Sequence, residues 1–308
     1  MQAQEAFKWA TQQLKNNKVS EPEKSAEFLL RQVLSAGAQS HTGCGIEWDK
    51  AKLIANPDYA LTGKQEEQFR QFIARRKKHE PVWYITGHIE FYGLDLEVSQ
   101  DVLIPRPETE FLVEEVLESI RHKTKDIRIL ELGTGSGAIA LALAAQYTIH
   151  NTQYKVMASD ISSDALKIAK KNAKRLGLDS RSGSGMTKIV GIEFRQGDLL
   201  APWHGEVFDI IVANLPYIPH EDLDSLALDI HHWEPRVALD GGKEGLEIYE
   251  RLIKQAKDYL NENYQMFFEI GIGQGKGIRK LIAEYLPEAS VEIKKDYGDI
   301  DRIAIIKG

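Results

Sequence analysis

The chain has 308 residues, of which 39 are Lys or Arg and 46 are Asp or Glu, giving a formal net charge of −7. At roughly 150 residues per domain, this length predicts about two domains and excludes a small protein that depends on disulfides or metal ions for stability. The acidic excess excludes a chain-wide basic surface, so we do not expect direct nucleic-acid binding. The single cysteine, Cys44, can form neither an internal disulfide nor a thiolate cluster, which is typical of a reducing compartment.

No segment of the sequence reads as a membrane or export signal. The longest apolar run, Ala138 to Ala145, is far shorter than the roughly 18 residues of a membrane-spanning helix. The N-terminal residues lack the basic start and apolar stretch of a secretory signal. We therefore expect a cytoplasmic protein with no membrane partner. Separately, we expect a monomer.

The first 80 residues predict a helical domain. Apolar residues recur at helical spacing, most clearly from Ala26 to Leu34. Thr62 and Gln65 have the spacing of a capping box, which predicts that another helix begins here. That helix ends in the basic run 75–78, and residues 1–80 carry 13 Lys or Arg against 10 Asp or Glu. A solvated helix face is the simpler interpretation of the run, and contact with RNA or an acidic partner is the alternative.

Residues 81–106 contain aromatic and β-branched runs separated by Gly87 and Gly93, a pattern that predicts a β-hairpin connector. From residue 107 to 308, strand-like and helical runs alternate, which predicts a mainly parallel sheet with helices on both faces, an α/β fold of the Rossmann-like kind. The predicted strands are Arg128–Leu132, Val156–Ser159, Ile192–Gln196, Asp209–Ala213, Gln265–Ile270 and Arg302–Ile306. The predicted helices include Ala138–Tyr147, Ser163–Leu176 and Lys243–Leu260. The Gly/Ser-rich segment 180–185 predicts a surface loop.

The segment 129–138 reads as a strand, a Gly-rich turn and a helix. Gly133, Gly135 and Gly137 allow the backbone to turn tightly and to approach a ligand closely, which predicts a nucleoside cofactor. The same residues satisfy a dinucleotide fingerprint, so the turn alone leaves both a dehydrogenase and a methyltransferase open. Glu131 favours the methyltransferase, because a carboxylate there can pair with the ammonium of a methionine moiety and would repel a pyrophosphate.

Two further acidic residues follow predicted strands. Asp160 comes directly after the second strand of the α/β region, where a carboxylate can accept both ribose hydroxyls of an adenosine. Capping of the helix that begins near Ser162 is the alternative role for Asp160. Asp198 ends the third strand, where a carboxylate can receive an adenine amino group, and a turn-forming role is the alternative.

A buried strand, 209–213, delivers Asn-Leu-Pro-Tyr at its carboxyl end. The Asn214 side-chain oxygen and the Leu215 carbonyl are two acceptors that suit the two hydrogens of a planar NH₂ group. Pro216 restricts the backbone of Leu215, and Tyr217 offers an aromatic face to the plane. These residues predict methyl transfer to an amide or amino nitrogen, and a simple strand-ending turn is the alternative.

These motifs resemble the class I S-adenosylmethionine-dependent methyltransferases, and more narrowly the peptide chain release factor glutamine N5-methyltransferases. The resemblance covers most of the chain, and its most specific part is the string Ile-Pro-Arg-Pro-Glu-Thr-Glu at 104–110. The other matching segments are 80–87, 90–93, 102–103, 130–143, 214–218 and 234–246. The family implies methylation of the glutamine in the Gly-Gly-Gln tip of class 1 release factors in translation termination, with S-adenosyl-L-methionine as cofactor and S-adenosyl-L-homocysteine as product.

The resemblance also implies which residues bind cofactor and target. The cofactor would be held by Glu131, Gly133, Thr134, Gly135, Ser136, Gly137, Asp160, Asp198, Leu199 and Asn214, and the glutamine by Asn214, Leu215, Pro216 and Tyr217. His231 and His232 match no metal-ligand spacing, so we expect no metal.

The sequence departs from the family at Leu215, where Asn-Pro-Pro-Tyr is usual. Asn-Leu-Pro-Tyr is the form common in ribosomal RNA adenine dimethyltransferases, so N6-adenine methylation of RNA is the alternative function. The acceptor at this position is a main-chain carbonyl that any residue provides, so we expect Leu215→Pro to be tolerated.

Overall fold

The computed structural model describes residues 1–36, 48–121, 126–146, 154–179, 191–296 and 298–308. Cys44 and the loop predicted at 180–185 lie outside these residues. The chain divides into two units. The helical unit consists of residues 1–87 and 227–233, and the α/β unit consists of residues 88–226 and 234–308.

The helical unit packs its helices around an apolar core that includes Leu29, Leu30, Phe69 and Ile73. Its helices are α1 (Ala3–Asn16), α2 (Pro22–Ala36), α3 (Lys50–Ala55), α4 (Gly63–Arg76) and α5 (Val82–Thr86), with a short helical turn at Leu228–His231. The predicted capping box is confirmed, because the Thr62 and Gln65 side chains each accept a hydrogen bond from the other residue's backbone N–H. The amphipathic pattern therefore identified this core correctly.

The basic run 75–78 is largely used inside the helical unit. Arg75 forms an ion pair with Glu80, and its Nε lies 2.9 Å from Glu80 Oε2. Arg76 is only 4% exposed and pairs with Asp229 at 2.7 Å. Lys77 donates to a glutamine side chain on α1. These contacts favour a structural role for the run over a contact with RNA or an acidic partner.

The extended conformation predicted for residues 82–85 is wrong, because these residues form helix α5. Gly87, with a φ of +81°, ends the helix in the left-handed conformation that favours glycine. The Arg75 guanidinium donates to the carbonyls of Tyr84 and Ile85, each at 3.0 Å. A cation bound to the last carbonyls stabilises a helix C-terminus, and this contact with α4 outweighs the strand propensity of the aromatic residues.

The α/β unit begins with the predicted hairpin, which is confirmed for β1 (His88–Phe91) and β2 (Leu94–Glu97). Its remaining strands are β3 (Ile127–Leu132), β4 (Tyr154–Asp160), β5 (Glu193–Gln196), β6 (Phe208–Ala213), β7 (Leu260–Glu269), β8 (Ser290–Lys295) and β9 (Asp301–Lys307). Its helices are α6 (Pro107–Ile120), α7 (Ala138–Ala145), α8 (Ser163–Arg175), α9 (Glu247–Ala256) and α10 (Gly275–Tyr285). The six predicted strands are all present.

Strands β3 to β9 form one sheet in the order β5-β4-β3-β6-β7-β9-β8. The five neighbouring strands β5, β4, β3, β6 and β7 pair in parallel. Strand β9 pairs antiparallel with both β7 and β8. The family resemblance implies a mostly parallel sheet with one reversed strand at its edge. The reversed strand is β9, which lies inside the sheet between β7 and the edge strand β8. The edge strand β8 was not predicted, because Glu292, Lys294 and Lys295 leave it without a continuous apolar run.

The chain order of the strands reverses beside β3, where one path runs outward to β4 and β5 and the other to β6 and β7. Right-handed crossovers in opposite directions place helices on both faces of the sheet. In open α/β sheets the crevice at such a reversal, beyond the carboxyl ends of the strands, is where ligands bind. The fold thus brings the ends of β3, β4 and β6 to one edge. Across the described ranges, no helix combines the length and apolar character needed to cross a bilayer.

Candidate active site

The Gly-rich turn connects the end of β3 to α7. The N–H groups of Gly133 and Thr134 both donate to the Ser159 carbonyl, at 2.9 and 3.0 Å, which ties the turn to β4. Gly133 has a φ of +71°, and a Cβ at this position would lie 3.0 Å from the Leu215 side chain. Glycine is therefore required here both by the backbone conformation and by the close approach of the β6 turn.

Asp160 ends β4 and lies at the Gly-rich turn, as the strand order requires. Its Oδ2 accepts from the Gly135 N–H and its Oδ1 from the Ser162 N–H, both at 2.8 Å. Ser162 itself caps α8 by accepting from the Ala165 N–H, so the capping role considered for Asp160 belongs to Ser162. Burial raises the pKa of Asp160. Each carboxylate oxygen can accept two hydrogen bonds, so acceptor capacity remains toward a ligand.

Glu131 lies beneath the Gly-rich turn and is 1% exposed. Its Oε2 accepts from the Thr134 hydroxyl at 2.5 Å and from the Ala140 N–H at 3.0 Å. Burial raises the pKa of Glu131 to about 8. The carboxyl group therefore braces the turn against α7, and its predicted contact with an ammonium group remains a prediction.

A cavity of about 520 Å³ opens at this edge of the sheet, within the usual range for a small-molecule site. Predicted site residues on its wall are Gly133, Gly135, Asp160, Asp198, Leu199, Asn214, Leu215 and Pro216. Predicted site residues away from the wall are Glu131, Thr134, Ser136, Gly137 and Tyr217. The wall also includes residues 101–103 and 235–238. They were not predicted as site residues, although most of them lie in segments that match the family.

Asp198 lies on the cavity wall in an ion pair with Arg251 of α9. Both side chains are about half exposed. The pair holds α9 to the loop after β5. Arg251 is also on the cavity wall, and the sequence did not indicate it. The predicted contact of Asp198 with an adenine amino group remains a prediction.

The Asn214 side chain is held by two residues that are far from it in sequence. Its Nδ2 lies 3.1 Å from the Thr109 hydroxyl, and that hydroxyl donates to Glu269 Oε2 at 2.7 Å. Thr109 and Glu269 are 4% and 1% exposed. Burial raises the pKa of Glu269, whereas the hydrogen bond from Thr109 opposes this shift. A glutamate at the end of a buried strand is the one sequence signal that could have identified Glu269.

Leu215 is 4% exposed, and its N–H donates to the Tyr249 hydroxyl at 3.1 Å. The same hydroxyl donates to the Glu269 carbonyl. A proline at position 215 has no N–H, so this hydrogen bond exists only because the sequence departs from the usual family motif. Tyr249 therefore satisfies the extra donor that Leu215 introduces.

Tyr217 is half-buried, and its hydroxyl lies 3.4 Å from Glu269 Oε1. Burial, together with the Glu269 charge, raises the pKa of Tyr217 to about 12, so the hydroxyl keeps its proton. The Tyr217 carbonyl accepts from Gln274 Nε2 at 2.8 Å. Gly245, at a φ of +75°, packs so closely that a Cβ there would overlap this carbonyl. The backbone of Tyr217, whose aromatic face is predicted to contact the target, is thus packed tightly against Gly245 and Gln274.

Two of the matching sequence segments meet in an ion pair at the site. Arg106 pairs with the buried Glu234, which also accepts from the Ile104 N–H at 3.2 Å. The string at 104–110 is therefore fixed to the loop at 234–246 on one side and, through Thr109, to Asn214 on the other. In the part of the chain that the structure describes, no group of His, Cys, Asp and Glu residues could hold a metal ion.

A mainly parallel seven-stranded sheet with this strand order, and a nucleoside-sized cavity at its glycine-rich edge, defines a class I methyltransferase domain. In agreement, residues 123–258 match the family described as "Methyltransferase domain", and residues 5–87 match the family described as "PrmC N-terminal domain".

Curated relatives extend the match to nearly the whole chain. The chain is 36% identical over 307 residues to a "Release factor glutamine methyltransferase" of Bacillus cereus, covering 98% of each chain. A protein of the same name from Bacillus subtilis is 35% identical over 97% of this chain and 95% of its own length. One from Streptococcus pneumoniae is 38% identical over 80% of this chain and 82% of its own. The chain belongs to the release factor glutamine methyltransferase family.

Proposed function

We propose that the protein transfers a methyl group from S-adenosyl-L-methionine to the side-chain amide nitrogen, N5, of the glutamine in the Gly-Gly-Gln tip of class 1 peptide chain release factors. The observation that carries the proposal is the position of Asn214 and Leu215 on the same cavity wall as Gly133, Gly135 and Asp160. Two acceptors for a target NH₂ group and a nucleoside cradle thus share one cavity. The names of the relatives supply the identity of the protein substrate.

The residues of the cavity fit the cofactor. Gly133 and Gly135 leave the wall open where a Cβ would narrow it, and the Asp160 carboxylate keeps acceptor capacity for ribose hydroxyls. When bound, S-adenosyl-L-methionine supplies an electrophilic methyl group on a sulfonium, and S-adenosyl-L-homocysteine is the product. Glu131 contributes from below by holding the turn in place.

The chain's own part in the reaction is to orient the target nitrogen. An amide nitrogen is a poor nucleophile because its lone pair is delocalised into the carbonyl group. Acceptors at Asn214 Oδ1 and the Leu215 carbonyl would bind both N–H hydrogens, which fixes the plane of the amide and directs its lone pair toward the methyl group. As the nitrogen gains the methyl group, one of these hydrogens would leave as a proton to solvent, so that the methylated amide is neutral. Alignment of this kind can supply ~7–11 kcal/mol of the barrier reduction. Tyr217 is not part of the cavity wall but directly follows the wall residue Pro216, and from there we propose that it supports the plane from one side.

The direct test incubates the purified protein with S-adenosyl-L-methionine and a recombinant class 1 release factor, and locates any added methyl group by peptide mass spectrometry. We expect one methyl group on the tip glutamine, and none on a release factor in which that glutamine is replaced by alanine. Asn214→Ala, which lacks one acceptor, should be slower by roughly 5- to 150-fold.

Two results would contradict the proposal. One is methylation of adenines in RNA while the release factor stays unmodified. The other is cofactor binding, measured by calorimetry, without turnover of any release factor. A cytoplasmic location and a monomeric state remain predictions, which cell fractionation and light scattering can check.

A further inference from the structure

The proposed function requires the oxygen of the Asn214 amide, and not its NH₂ group, to face the target. An asparagine side chain presents an acceptor on one side and two donors on the other, and the two orientations have nearly the same shape. If the NH₂ group faced the cavity, it would oppose the hydrogens of a target NH₂ group. Something in the protein must therefore fix the orientation.

The chain of hydrogen bonds behind Asn214 has a direction. The Thr109 hydroxyl has a single proton, and it donates this proton to Glu269 Oε2 over 2.7 Å. The Thr109 oxygen can then only accept from Asn214, whose Nδ2 lies 3.1 Å away. The NH₂ group is thus bound on the protein side, and Oδ1 is left for the cavity.

Burial makes this chain of bonds well defined. Glu269 is 1% and Thr109 is 4% exposed, so water has little access to exchange for either partner. The Tyr217 hydroxyl, 3.4 Å from the other oxygen of Glu269, keeps its proton and donates in the same sense. One carboxylate at the end of β7 therefore faces both Asn214, through Thr109, and Tyr217.

We propose that Glu269, acting through Thr109, fixes the Asn214 amide with its oxygen toward the target, so that Thr109 and Glu269 are positioning residues for methyl transfer. This inference rests on the proposed function, because it assigns Asn214 Oδ1 to the target NH₂ group. It adds two residues that touch neither the target nor the cofactor.

The test compares Thr109→Val, which removes the hydroxyl at constant shape, with Thr109→Ser, which restores it. Steady-state methylation of a recombinant class 1 release factor gives kcat and KM, and calorimetry gives the Kd of S-adenosyl-L-methionine for each variant. We expect kcat of Thr109→Val to fall roughly 5- to 150-fold, with KM for the release factor and the cofactor Kd each changed less than about threefold. Thr109→Ser should recover most of the lost kcat.

Ser119→Ala is the matched control. It removes a hydroxyl from the same helix, α6, where Ser119 donates to the Val116 carbonyl at 2.7 Å. A purely structural effect of losing a hydroxyl from α6 would lower the melting temperature of both variants, whereas the proposed effect lowers kcat only in Thr109→Val.

Glu269→Gln provides a second route if Thr109→Val does not fold. A glutamine can turn its NH₂ group toward Thr109, which reverses the direction of the bonds without changing their number. We expect a similar loss of kcat with an unchanged cofactor Kd.

The results separate this inference from the proposed function. If the wild-type protein does not methylate the tip glutamine, the proposed function fails, and the inference fails with it. If the wild-type protein does so, and both Thr109→Val and Glu269→Gln keep the wild-type kcat, only the inference is overturned. An equal loss in Thr109→Ser and Thr109→Val would also overturn it, because the hydroxyl would then not be the operative group.

Discussion

The two ends of the cavity differ in how far along the chain their polar groups find partners. At the glycine-rich end, Glu131 accepts from residues three and nine positions away, and Asp160 accepts from residues two and 25 positions away. At the Asn-Leu-Pro-Tyr end, the partners of Asn214, Leu215 and Tyr217 are 34 to 105 positions away. The pair behind Asn214, Thr109 with Glu269, spans 160 positions. One end is built locally, and the other is assembled by the fold.

The two ends should therefore respond differently to substitutions. A local turn keeps its own geometry once its strand and helix form, so changes there should act on the ligand that the turn holds. An end assembled from α6, β6, β7 and α9 depends on several separate packing contacts, so a change in any of them should move the Asn214 turn.

The largest effect is expected for Gly245→Ala at the assembled end. The added Cβ would overlap the Tyr217 carbonyl at a φ of +75°, so strain and overpacking together should cost about 3 kcal/mol of the free energy of unfolding. Methyl transfer should fall with it, because the turn that carries Asn214 and Tyr217 is displaced.

Gly177→Ala is the control for Gly245→Ala. Gly177 has a φ of +70° but open space around it, so its variant isolates the backbone strain. Denaturant unfolding and a methylation assay are the measurements, and equal losses in the two variants would show that the close packing at Tyr217 is unimportant.

Asp160→Ala tests the locally built end. Loss of the carboxylate should raise the Kd of S-adenosyl-L-methionine about 10- to 100-fold by calorimetry, because hydrogen bonds to a charged group are removed. The matched variant Asp164→Ala removes an exposed carboxylate from the first turn of α8 and should leave the Kd within about twofold. An unaltered Kd in Asp160→Ala would return Asp160 to a structural role at the turn.

Glu131→Gln tests the brace under the turn through pH. Burial raises the pKa of Glu131 to about 8, so the folded protein keeps this proton at pH values where the unfolded chain, with the ordinary value of 4.5, has lost it. The contribution of Glu131 to stability is therefore complete below pH 4.5 and is lost as the pH rises toward 8.

The variant does not titrate, so the stability of the wild-type protein relative to Glu131→Gln should fall by about 1 kcal/mol from pH 6 to pH 7. Urea unfolding of both proteins at the two pH values measures this difference. A constant difference would mean that Glu131 is ionised in the folded protein throughout this range.

The smallest effect is expected for the pair Leu215 and Tyr249. Tyr249→Phe leaves the buried Leu215 N–H without its acceptor, and Leu215→Pro removes that N–H altogether. The cost of Tyr249→Phe in the Leu215→Pro background should therefore be lower by about 0.5–1 kcal/mol, as measured by a double-mutant cycle of unfolding. Additive costs would show that the hydrogen bond between Leu215 and Tyr249 contributes nothing to the free energy of unfolding.

Much of the fold could be predicted from the sequence because its signals are local. Hydrophobic periodicity identified the helical core around Leu29 and Leu30, and β-branched runs identified six strands of the sheet. The segment 82–86 was misread, because its C-terminal end is fixed by Arg75 and Gly87 and not by its own composition. Strand β8 was missed because its apolar residues are interrupted by charges.

The candidate site divides along the same line. The glycine-rich turn, the acidic residue after β4 and the Asn-Leu-Pro-Tyr segment at the end of β6 could all be identified from the sequence. Each of these signals lies within one short segment that directly follows a strand. Only the tertiary structure decided that Glu131 braces the turn from below, that Ser162 caps α8, and that Thr109 and Glu269 lie behind Asn214. The direction of a hydrogen bond depends on which distant side chains become buried together. A pattern within a single segment cannot predict those partners.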